Sequence, residues 1–261
     1  MTKKIHLSVA LAVFNEEKNL SACLDSVKDW VDEIVVVDGG STDKTVEIAQ
    51  KYKARVIKTS NPPMFHLNKQ KAIDACKCEW VLQLDADEQV SIELKEEILQ
   101  TLPSTEANGF WLPRKNFFLG NFLENGGQYP DYTLRLYRNS KGKLPCKSVH
   151  EQAVVEGRVG FLKSDLLHYP FAAFTDYLNK AIRYSKERAE KLFEKKPHKG
   201  KIPLPVLFNQ LLWQPKLTFF KLYFRHLGFK DGFAGFVFAA FSAIQEIMAL
   251  VFYYELGLKK K

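Results

Sequence analysis

Cysteine is scarce in this sequence: the 261 residues include four, Cys23, Cys76, Cys78 and Cys146. Cys76 and Cys78 form a single C-x-C pair, and there is no second pair at the spacing of a zinc site. The count is also too low for a secreted domain held together by disulfides. We therefore expect reduced cysteines with a structural role.

The sequence also lacks a recognisable export signal. Its first residues, MTKKIH, contain two lysines and run into a strand-like segment, with no long apolar stretch and no small-residue cleavage site. With 46% hydrophobic and 26% charged residues, the composition is that of an ordinary globular protein. We therefore expect a folded protein in the cytoplasm.

Acidic residues are outnumbered by basic ones, 30 against 38, and the formal net charge is +8. Such a surplus attracts nucleic acid, anionic lipid surfaces and phosphorylated substrates alike. The lysines are scattered and no RNA-binding or helix-turn-helix signature is present. A nucleic-acid partner is therefore not expected.

Short apolar segments alternate with helix-like segments in the N-terminal part of the chain. The strand candidates are Ile5–Phe14, Ile34–Val37, Arg55–Lys58 and Trp80–Leu84, and a helix is expected over about Leu67–Cys76. This alternation predicts a mostly parallel α/β sheet with flanking helices. Between residues 109 and 168 glycine and proline interrupt the apolar segments, so irregular strands and loops are expected there.

Polar residues follow three of the predicted strands. Asn15 follows the first strand, Asp38 ends the second, and Asp85–Glu88 follows the fourth. Ligands of open parallel sheets bind beyond the carboxyl ends of the strands. These residues are therefore expected to meet in one crevice.

Asp85 and Asp87 are separated by one residue. On an extended backbone both side chains would lie on the same side, with Ala86 pointing away. Carboxylate oxygens suit Mg²⁺ or Mn²⁺, and such a cation neutralises the charge that develops on a departing nucleoside diphosphate. A D-x-D segment is also a common solvated turn after a strand, so its meaning depends on the surrounding motifs.

Three segments supply that context: Ala10–Glu17 with Asn15 and Glu16, the sequence VVVDGGSTD at residues 35–43, and Trp80–Glu88. In succession they resemble the motifs of family 2 glycosyltransferases of the GT-A fold. Residues 135–138, 149–151, 167–168 and 228–232 further resemble the branch of lipopolysaccharide-core β-1,4-glucosyltransferase-like proteins. The resemblance covers nearly the whole chain and implies a Rossmann-like, GT-A type α/β fold.

The resemblance also implies roles for the polar strand ends. Asp38 would accept a hydrogen bond from the nucleotide base, Glu16 would lie beside the nucleoside, and Asp85 would lie near the ribose. Asp87 would bind a divalent metal, Mg²⁺ or Mn²⁺, and His168 would complete the metal site. The alternative for His168 is a histidine with only a structural role.

Other candidates come from the residue types themselves. Lys69 could pair with a phosphate as a point charge, with Asn68 hydrogen-bonding nearby, although a lone lysine is usually only solvated. Arg135 and Arg138 could reach a phosphate or an anionic acceptor, or could face solvent. An inverting enzyme also needs a general base; the resemblance favours Glu151, and Asp131 is the second candidate.

The chain is expected to divide into two regions. Residues 1–195 would form the catalytic domain, with a nucleotide-sugar-binding half at 1–100 and an acceptor side at 101–170, and residues 196–261 would form amphipathic and apolar helices. Phe233–Tyr254 is almost continuously apolar apart from Ser242, Gln245 and Glu246. Three interpretations remain open: a helix lying in the membrane surface, core packing or an oligomer interface, and a membrane span.

These observations favour a metal-dependent inverting hexosyltransferase. By the resemblance, the donor would be a UDP-sugar and the acceptor a glycolipid or cell-envelope saccharide such as lipopolysaccharide core, at the inner face of the cell membrane. One alternative is a polyprenyl-phosphate glycosyltransferase, which would also use the basic surface and apolar C-terminal region. The other is a non-catalytic subunit that binds a nucleotide or a glycan.

Overall fold

The computed structural model describes residues 5–147 and 151–259. The described residues fall into two compact units, one within Met1–Arg114 and Asp131–His168, the other within Lys115–Pro130 and Tyr169–Lys261. These limits differ from the predicted boundary at residue 195. The reason is that the helix Phe174–Lys195 packs against the helix Gly232–Leu258 and so belongs to the second unit.

The first unit is built on a sheet whose N-terminal part is parallel. Strands β1 (Leu7–Val13), β2 (Glu33–Asp38), β3 (Arg55–Lys58) and β4 (Trp80–Leu84) lie in the order β3-β2-β1-β4. They are connected by helices α1 (Leu20–Asp25), α2 (Thr45–Lys51) and α3 (His66–Ala75). The mostly parallel α/β sheet expected of a GT-A fold is confirmed.

Both faces of this sheet are covered. Every residue of β4 is buried, with Trp80, Leu82 and Leu84 in one apolar cluster and Val81 in another. Alternate residues of a strand point to opposite faces, so the two clusters form a core on each side of the sheet. The continuous apolar composition of these strands follows from burial on both faces.

The sheet continues through strands that are mainly antiparallel, in the order β4-β8-β6-β12-β5. The remaining elements of this part are β5 (Glu88–Val90), α4 (Ile92–Thr101), β6 (Gly109–Phe118), β7 (Asn121–Leu123), β8 (Asp131–Arg138), β9 (Gly142–Lys143), β10 (Val154–Val155), β11 (Val159–Phe161) and β12 (Leu166–His168). Strands β6 and β8 are longer than the interrupted segments led us to expect, and their pairing contains one irregularity, a register shift between Phe110 and Trp111. Their pairing with each other and with β4 supplies hydrogen bonds that local glycine and proline signals do not reveal.

The second unit is mainly helical. Its helices are α5 (Phe174–Lys195), α6 (Leu204–Phe208), α7 (Gln214–Phe220) and α8 (Gly232–Leu258), with π-helical turns at Asn209–Trp213 and Lys221–Arg225 and a 3₁₀ turn at Gly228–Asp231. Helix α8 packs against α5 and α7. Glu246, in the middle of α8, is buried and paired with Arg188 of α5.

One helical stretch of the described residues, Gly228–Leu258, is long and apolar enough to cross a bilayer by length and composition, and 39% of its most apolar window is buried inside the protein. Core helices of soluble proteins meet the same criteria. The packing of α8 against α5 and α7 already covers part of its surface.

A buried ion pair fixes the chain where β4 leads into β5. Arg135 of β8 is buried, and its guanidinium lies 2.6 Å from the Asp85 carboxylate and 2.8 Å from the Glu88 carboxylate. Glu88 has no exposed surface and is also paired with Arg114 of β6 at 3.3 Å. The alternative that Arg135 faces solvent is therefore wrong, because β8 is an interior strand and the guanidinium is paired with two carboxylates that follow β4.

Replacing Arg135 with methionine should lower the free energy of unfolding by about 3 kcal/mol, because the buried Glu88 would keep only Arg114, at 3.3 Å, and Asp85 only Lys69. The measurement is urea denaturation followed by circular dichroism. The matched control is Lys141→Met, which removes the exposed Lys141–Glu156 pair and should cost less than about 1 kcal/mol. Equal effects of the two substitutions would show that the Arg135 pairs do not stabilise the fold.

The stability difference between wild type and Arg135→Met should also depend on pH. Burial alone raises the pKa of Asp85, but the Arg135 guanidinium and the Lys69 ammonium outweigh it and hold that pKa well below its ordinary range. A carboxyl whose folded pKa is lowered contributes stability above its unfolded pKa and loses it as the pH falls towards the folded value. The difference should therefore persist from pH 7 to about pH 5 and shrink below about pH 4. A difference that stays constant down to pH 3 would contradict this account.

Candidate active site

The polar strand ends meet at one edge of the sheet. In the parallel register Val13 of β1 lies beside Asp38 of β2, and Leu11 lies beside Leu84 of β4. The residues that follow these strands therefore leave the sheet at the same edge. This is the edge at which the sequence predicted a crevice.

Asp38 shapes the loop after β2. It is 2% exposed, and its carboxylate accepts hydrogen bonds from the backbone N–H groups of Gly40 and Ser41 at 3.1 and 3.2 Å. Gly40 has a φ of +87°, which a residue with a side chain rarely adopts. Gly39 is confined as well, because a Cβ there would lie 3.2 Å from the Cβ of Asn61.

Asn15 joins this loop to the end of β1. Its side-chain oxygen accepts a hydrogen bond from the Thr42 N–H at 2.8 Å, and its own N–H donates to the Ser41 hydroxyl at 2.9 Å. Asn15 has a φ of +55°, a left-handed conformation that asparagine tolerates better than most residues. Two of the predicted nucleotide-binding residues, Asn15 and Asp38, thus also hold the two loops together.

Glu16 lies next to the acidic turn. Its N–H donates to the Thr45 hydroxyl at 2.7 Å, and its carboxylate accepts a hydrogen bond from Asn19. Burial raises the pKa of Glu16, as do the negative charges of Asp87 and Asp85. A bound cation would relieve this concentration of negative charge.

The D-x-D segment is a turn and not the extended backbone assumed from the sequence. The Glu88 N–H donates to the Asp85 carbonyl at 3.0 Å, and the Asp85 N–H donates to the Glu88 carboxylate at 2.9 Å. Ala86 points into the core, as expected, and Asp85 and Asp87 are partly exposed. The turn directs the two aspartates to different partners.

Asp85 is held between two cations. Lys69 of α3 pairs with one carboxylate oxygen and Arg135 with the other. Asn68 is buried and its amide donates to the Ser60 carbonyl at 2.8 Å, which ties the first turn of α3 to the loop after β3. Lys69 is therefore close to the acidic turn, and Asn68 is engaged with the backbone.

Asp87 lies beside His168. Strand β12 pairs with β5 so that His168 is opposite Glu88. The His168 Nε2 is 3.3 Å from the Asp87 Oδ2. The structure thus brings together the two residues that the resemblance assigned to a metal, across 81 positions of sequence.

One carboxylate and one imidazole nitrogen fill only part of the coordination shell of Mn²⁺ or Mg²⁺. Among residues 5–147 and 151–259 no group of three or more His, Cys, Asp or Glu side chains could hold a metal ion. Magnesium sites in nucleotide-using enzymes often take one or two protein ligands and complete the shell with phosphate oxygens and water. Asp87 and His168 fit such a site.

The two candidate bases have different surroundings. Asp131 accepts two hydrogen bonds from Arg114, at 2.6 and 3.0 Å, and so joins the ion pairs of Glu88 and Arg135. Glu151 is partly exposed, and its carboxylate accepts a hydrogen bond from the Lys147 N–H at 3.0 Å. Its neighbours in the resembling motif, Val149 and His150, lie outside the described residues.

Two residues at this edge were given no role from the sequence. Glu88 and Arg114 connect Asp85 through Arg135 to Asp131 in one chain of ion pairs. Arg114 lies directly opposite Asp131 in the β6–β8 register. No sequence signal singled out Arg114, because its role depends on the pairing of β6 with β8.

Comparisons with known proteins point to one family. The sequence profile described as glycosyl transferase family 2 matches residues 8–154. A lipopolysaccharide core biosynthesis glycosyltransferase, LpsC of Rhizobium meliloti (strain 1021), is 30% identical over 98% of this chain and 94% of its own length. An uncharacterized glycosyltransferase of Rickettsia bellii (strain RML369-C) is 29% identical over 99% of this chain and 89% of its own length.

The fold has a counterpart among solved structures. The crystal structure of residues 1–349 of S. aureus TarS matches with a TM-score of 0.50 and 16% identity, over 98% of this chain and 91% of that one. At this level of identity the likeness concerns the fold alone. The family profile spans more than half of the chain, and the Rhizobium meliloti relative aligns with nearly all of it. The chain therefore belongs to glycosyltransferase family 2.

Proposed function

We propose that this protein is an inverting hexosyltransferase that moves a hexose from a UDP-sugar to a saccharide of a cell-envelope glycolipid, such as lipopolysaccharide core. Membership in the family supports glycosyl transfer. The name of the Rhizobium meliloti relative supports the acceptor class. The structural observation that carries the proposal is the meeting of Asp85, Asp87 and His168 at the edge where β1, β2 and β4 end.

In this proposal the nucleotide lies across the loops after β1 and β2. Asp38 accepts a hydrogen bond from the base, Asn15 and Glu16 border the nucleoside, and Asp85 lies near the ribose. The Lys69 ammonium, which pairs with Asp85, also contacts the diphosphate when the donor is bound. Asn68 fixes the start of α3 and so the position of Lys69. The buried Arg135 keeps Asp85 ionised while Lys69 is engaged by the donor.

Asp87 and His168 hold Mg²⁺ or Mn²⁺ in this proposal, together with diphosphate oxygens. The cation supplies charge neutralisation for the departing nucleoside diphosphate. Their proximity to Glu16 and Asp85 concentrates negative potential at the place where the cation binds. The site is therefore completed by the donor.

The general base completes the proposed chemistry. In a single displacement a carboxylate takes the proton of the acceptor hydroxyl while that oxygen attacks the anomeric carbon opposite the leaving group. Glu151 is our first assignment, because it is partly exposed and its carboxylate accepts a hydrogen bond from a backbone N–H, that of Lys147. Asp131 is the second, since Arg114 already occupies one of its oxygens.

We place the reaction on the cytoplasmic side of the cell membrane, with the catalytic site in the first unit and the peripheral membrane contact within residues 196–261. The acceptor class supports this location, since a glycolipid is held in a bilayer. A donor screen tests the proposal most directly. The cognate nucleotide sugar should raise the melting temperature in the presence of Mn²⁺, because a ligand that binds only the folded state stabilises it.

A transfer assay with the donor found in this screen, and with a saccharide or a polyprenyl phosphate as acceptor, separates the alternatives. Transfer to a polyprenyl phosphate and none to a saccharide would identify a polyprenyl-phosphate glycosyltransferase. Donor binding without turnover, even with cell-envelope saccharides supplied, would identify a non-catalytic subunit. No stabilisation by any nucleotide sugar would overturn the proposal.

Asp87→Ala should reduce metal-dependent transfer by at least about a hundredfold, because a bound cation contributes several kcal/mol of charge stabilisation. The measurement is release of the nucleotide at saturating Mn²⁺, with and without a chelator. Asp29→Ala, at an exposed carboxylate outside the site, is the matched control and should match wild type. Activity in Asp87→Ala that still falls to zero on chelation would assign the metal to other residues.

Glu151→Gln should lower kcat by about 10²–10⁴-fold while donor affinity changes little, because the amide keeps its shape but cannot accept the proton. Asp131→Asn, measured beside it by steady-state kinetics, should lower kcat far less. The reverse order would move the base to Asp131. Near wild-type kcat in both variants would exclude both residues.

A further inference from the structure

Helices α6 and α7, together with the π-helical turn that follows each of them, carry a row of exposed apolar side chains. We call it the apolar stripe; it consists of Leu204, Phe208, Trp213, Leu217, Phe220 and Phe224. These residues are between 43% and 77% exposed. Soluble surfaces rarely display so many large apolar side chains together, and such patches mark interaction sites.

The stripe residues follow one another at steps of three or four, as one face of an α-helix requires, except for the step of five from Phe208 to Trp213. That step spans Asn209–Trp213, where the helix makes a wider, π-helical turn. A π-helical turn takes more residues than an α-helical one, so the longer step there is compatible with one face of the segment.

The opposite side of the same segment packs inside the second unit. Val206 is buried beside Leu250 and Tyr253 of α8, and the ring of Phe219 lies 6.1 Å from that of Phe236. The stripe is therefore the outer face of a helical segment whose inner face packs against α8. Its side chains can contact a partner without opening the core.

Positive charge borders the stripe. Lys216, Lys221 and Arg225 each follow or precede a stripe residue in sequence, and all three are exposed. The sequence contains no aspartate or glutamate between Glu194 and Asp231. The basic residues of that interval are Lys195, Lys196, Lys199, Lys201, Lys216, Lys221, Arg225 and Lys230.

From this combination we propose that the apolar stripe lies in the headgroup region of an anionic membrane, with the bordering lysines and arginine on the lipid phosphates. Aromatic and aliphatic side chains on one face and long basic side chains beside them are the composition of helices that lie in a membrane surface. The length of the stripe, about 30 Å at 1.5 Å per residue, matches a planar surface better than a pocket. Self-pairing is disfavoured, because a two-fold interface would bring the same basic residues together.

The inference rests on the proposed membrane contact and specifies its surface. The sequence directed attention to the apolar run of α8, yet α8 packs against α5 and α7 and buries Glu246 with Arg188. Helix α8 also exposes apolar side chains, Phe233 and Val251 among them, but it carries Glu246 and Glu255, whereas the stripe lies in an interval without aspartate or glutamate. We therefore assign the membrane surface to the stripe. Spanning the bilayer is not part of this proposal.

Vesicle sedimentation with the full chain tests the proposal without donor or acceptor, so its outcome is independent of transferase activity. The probes are vesicles of phosphatidylcholine alone and of phosphatidylcholine mixed with phosphatidylglycerol. Wild type should bind the mixed vesicles, and added salt should weaken binding. The triple variant Trp213→Ser, Phe220→Ser, Phe224→Ser should lose binding to both kinds of vesicle.

The basic border is tested separately. Lys216→Gln, Lys221→Gln, Arg225→Gln should weaken binding to mixed vesicles by about a hundredfold and leave binding to phosphatidylcholine alone unchanged. The matched control neutralises three exposed lysines of the first unit, Lys51→Gln, Lys77→Gln, Lys163→Gln, and should bind as wild type does. An equal loss in both charge variants would mean that net charge alone drives binding, and would overturn the assignment.

Trp213 supplies a direct readout of insertion. Of the four tryptophans, all in the described part of the chain, Trp213 is the one with an exposed side chain. Mixed vesicles should shift its fluorescence emission to shorter wavelength, and Trp213→Phe should abolish the shift while keeping the binding. Wild type that stays in the supernatant with both vesicles would overturn the proposal, as would a stable dimer in which the stripe is buried.

Discussion

The buried guanidinium of Arg135 is the interaction on which the candidate active site depends. It lies between the carboxylates of Asp85 and Glu88, at 2.6 and 2.8 Å, and supplies the positive charge that two acidic side chains so close together require. Burial raises the pKa of Asp85, but the positive charges of Arg135 and Lys69 outweigh burial and lower it. The acidic turn therefore stays charged at the sheet edge, which is the condition for attracting a cation and a diphosphate together.

Two residues predicted to bind the nucleotide also hold the loops of the site together. Asp38 and Asn15, predicted to contact the nucleotide, use their side-chain oxygens to hold backbone N–H groups of the facing loop. This arrangement fixes the loops before any ligand arrives, and preorganised polar groups bind with less loss of entropy. Substitutions at these positions would accordingly disturb the loops as well as the proposed donor contacts.

The helical unit shows how an apolar segment is divided between the core and the surface. The Glu246–Arg188 pair lets α8 keep a charged residue on a face that packs inside the unit. The apolar side chains of α6 and α7 that do not find such packing point outward beside lysine and arginine. A protein acting on a glycolipid acceptor would use such a surface to stay near its substrate.

The sequence by itself determined the family, the parallel strands and the order of polar residues at their ends. Those properties are local or periodic: buried β-branched runs, loops rich in glycine and aspartate, and short motifs in succession. The proximity of Asp87 to His168 was implied by the resemblance but depended on the β5–β12 pairing, which joins distant parts of the chain. The roles proposed for these residues remain predictions.

Only the tertiary structure decided where Arg135, Arg114 and Glu88 belong. A strand pattern specifies that residues alternate between faces, but not which strand lies beside which, and β8 lies between β4 and β6. That strand order buries Arg135, where the sequence allowed it to face solvent or a phosphate. The packing of the helices likewise decided which apolar side chains are covered, as on the inner face of α8, and which are exposed, as in the stripe before it. Composition gives how apolar a segment is and not what covers it.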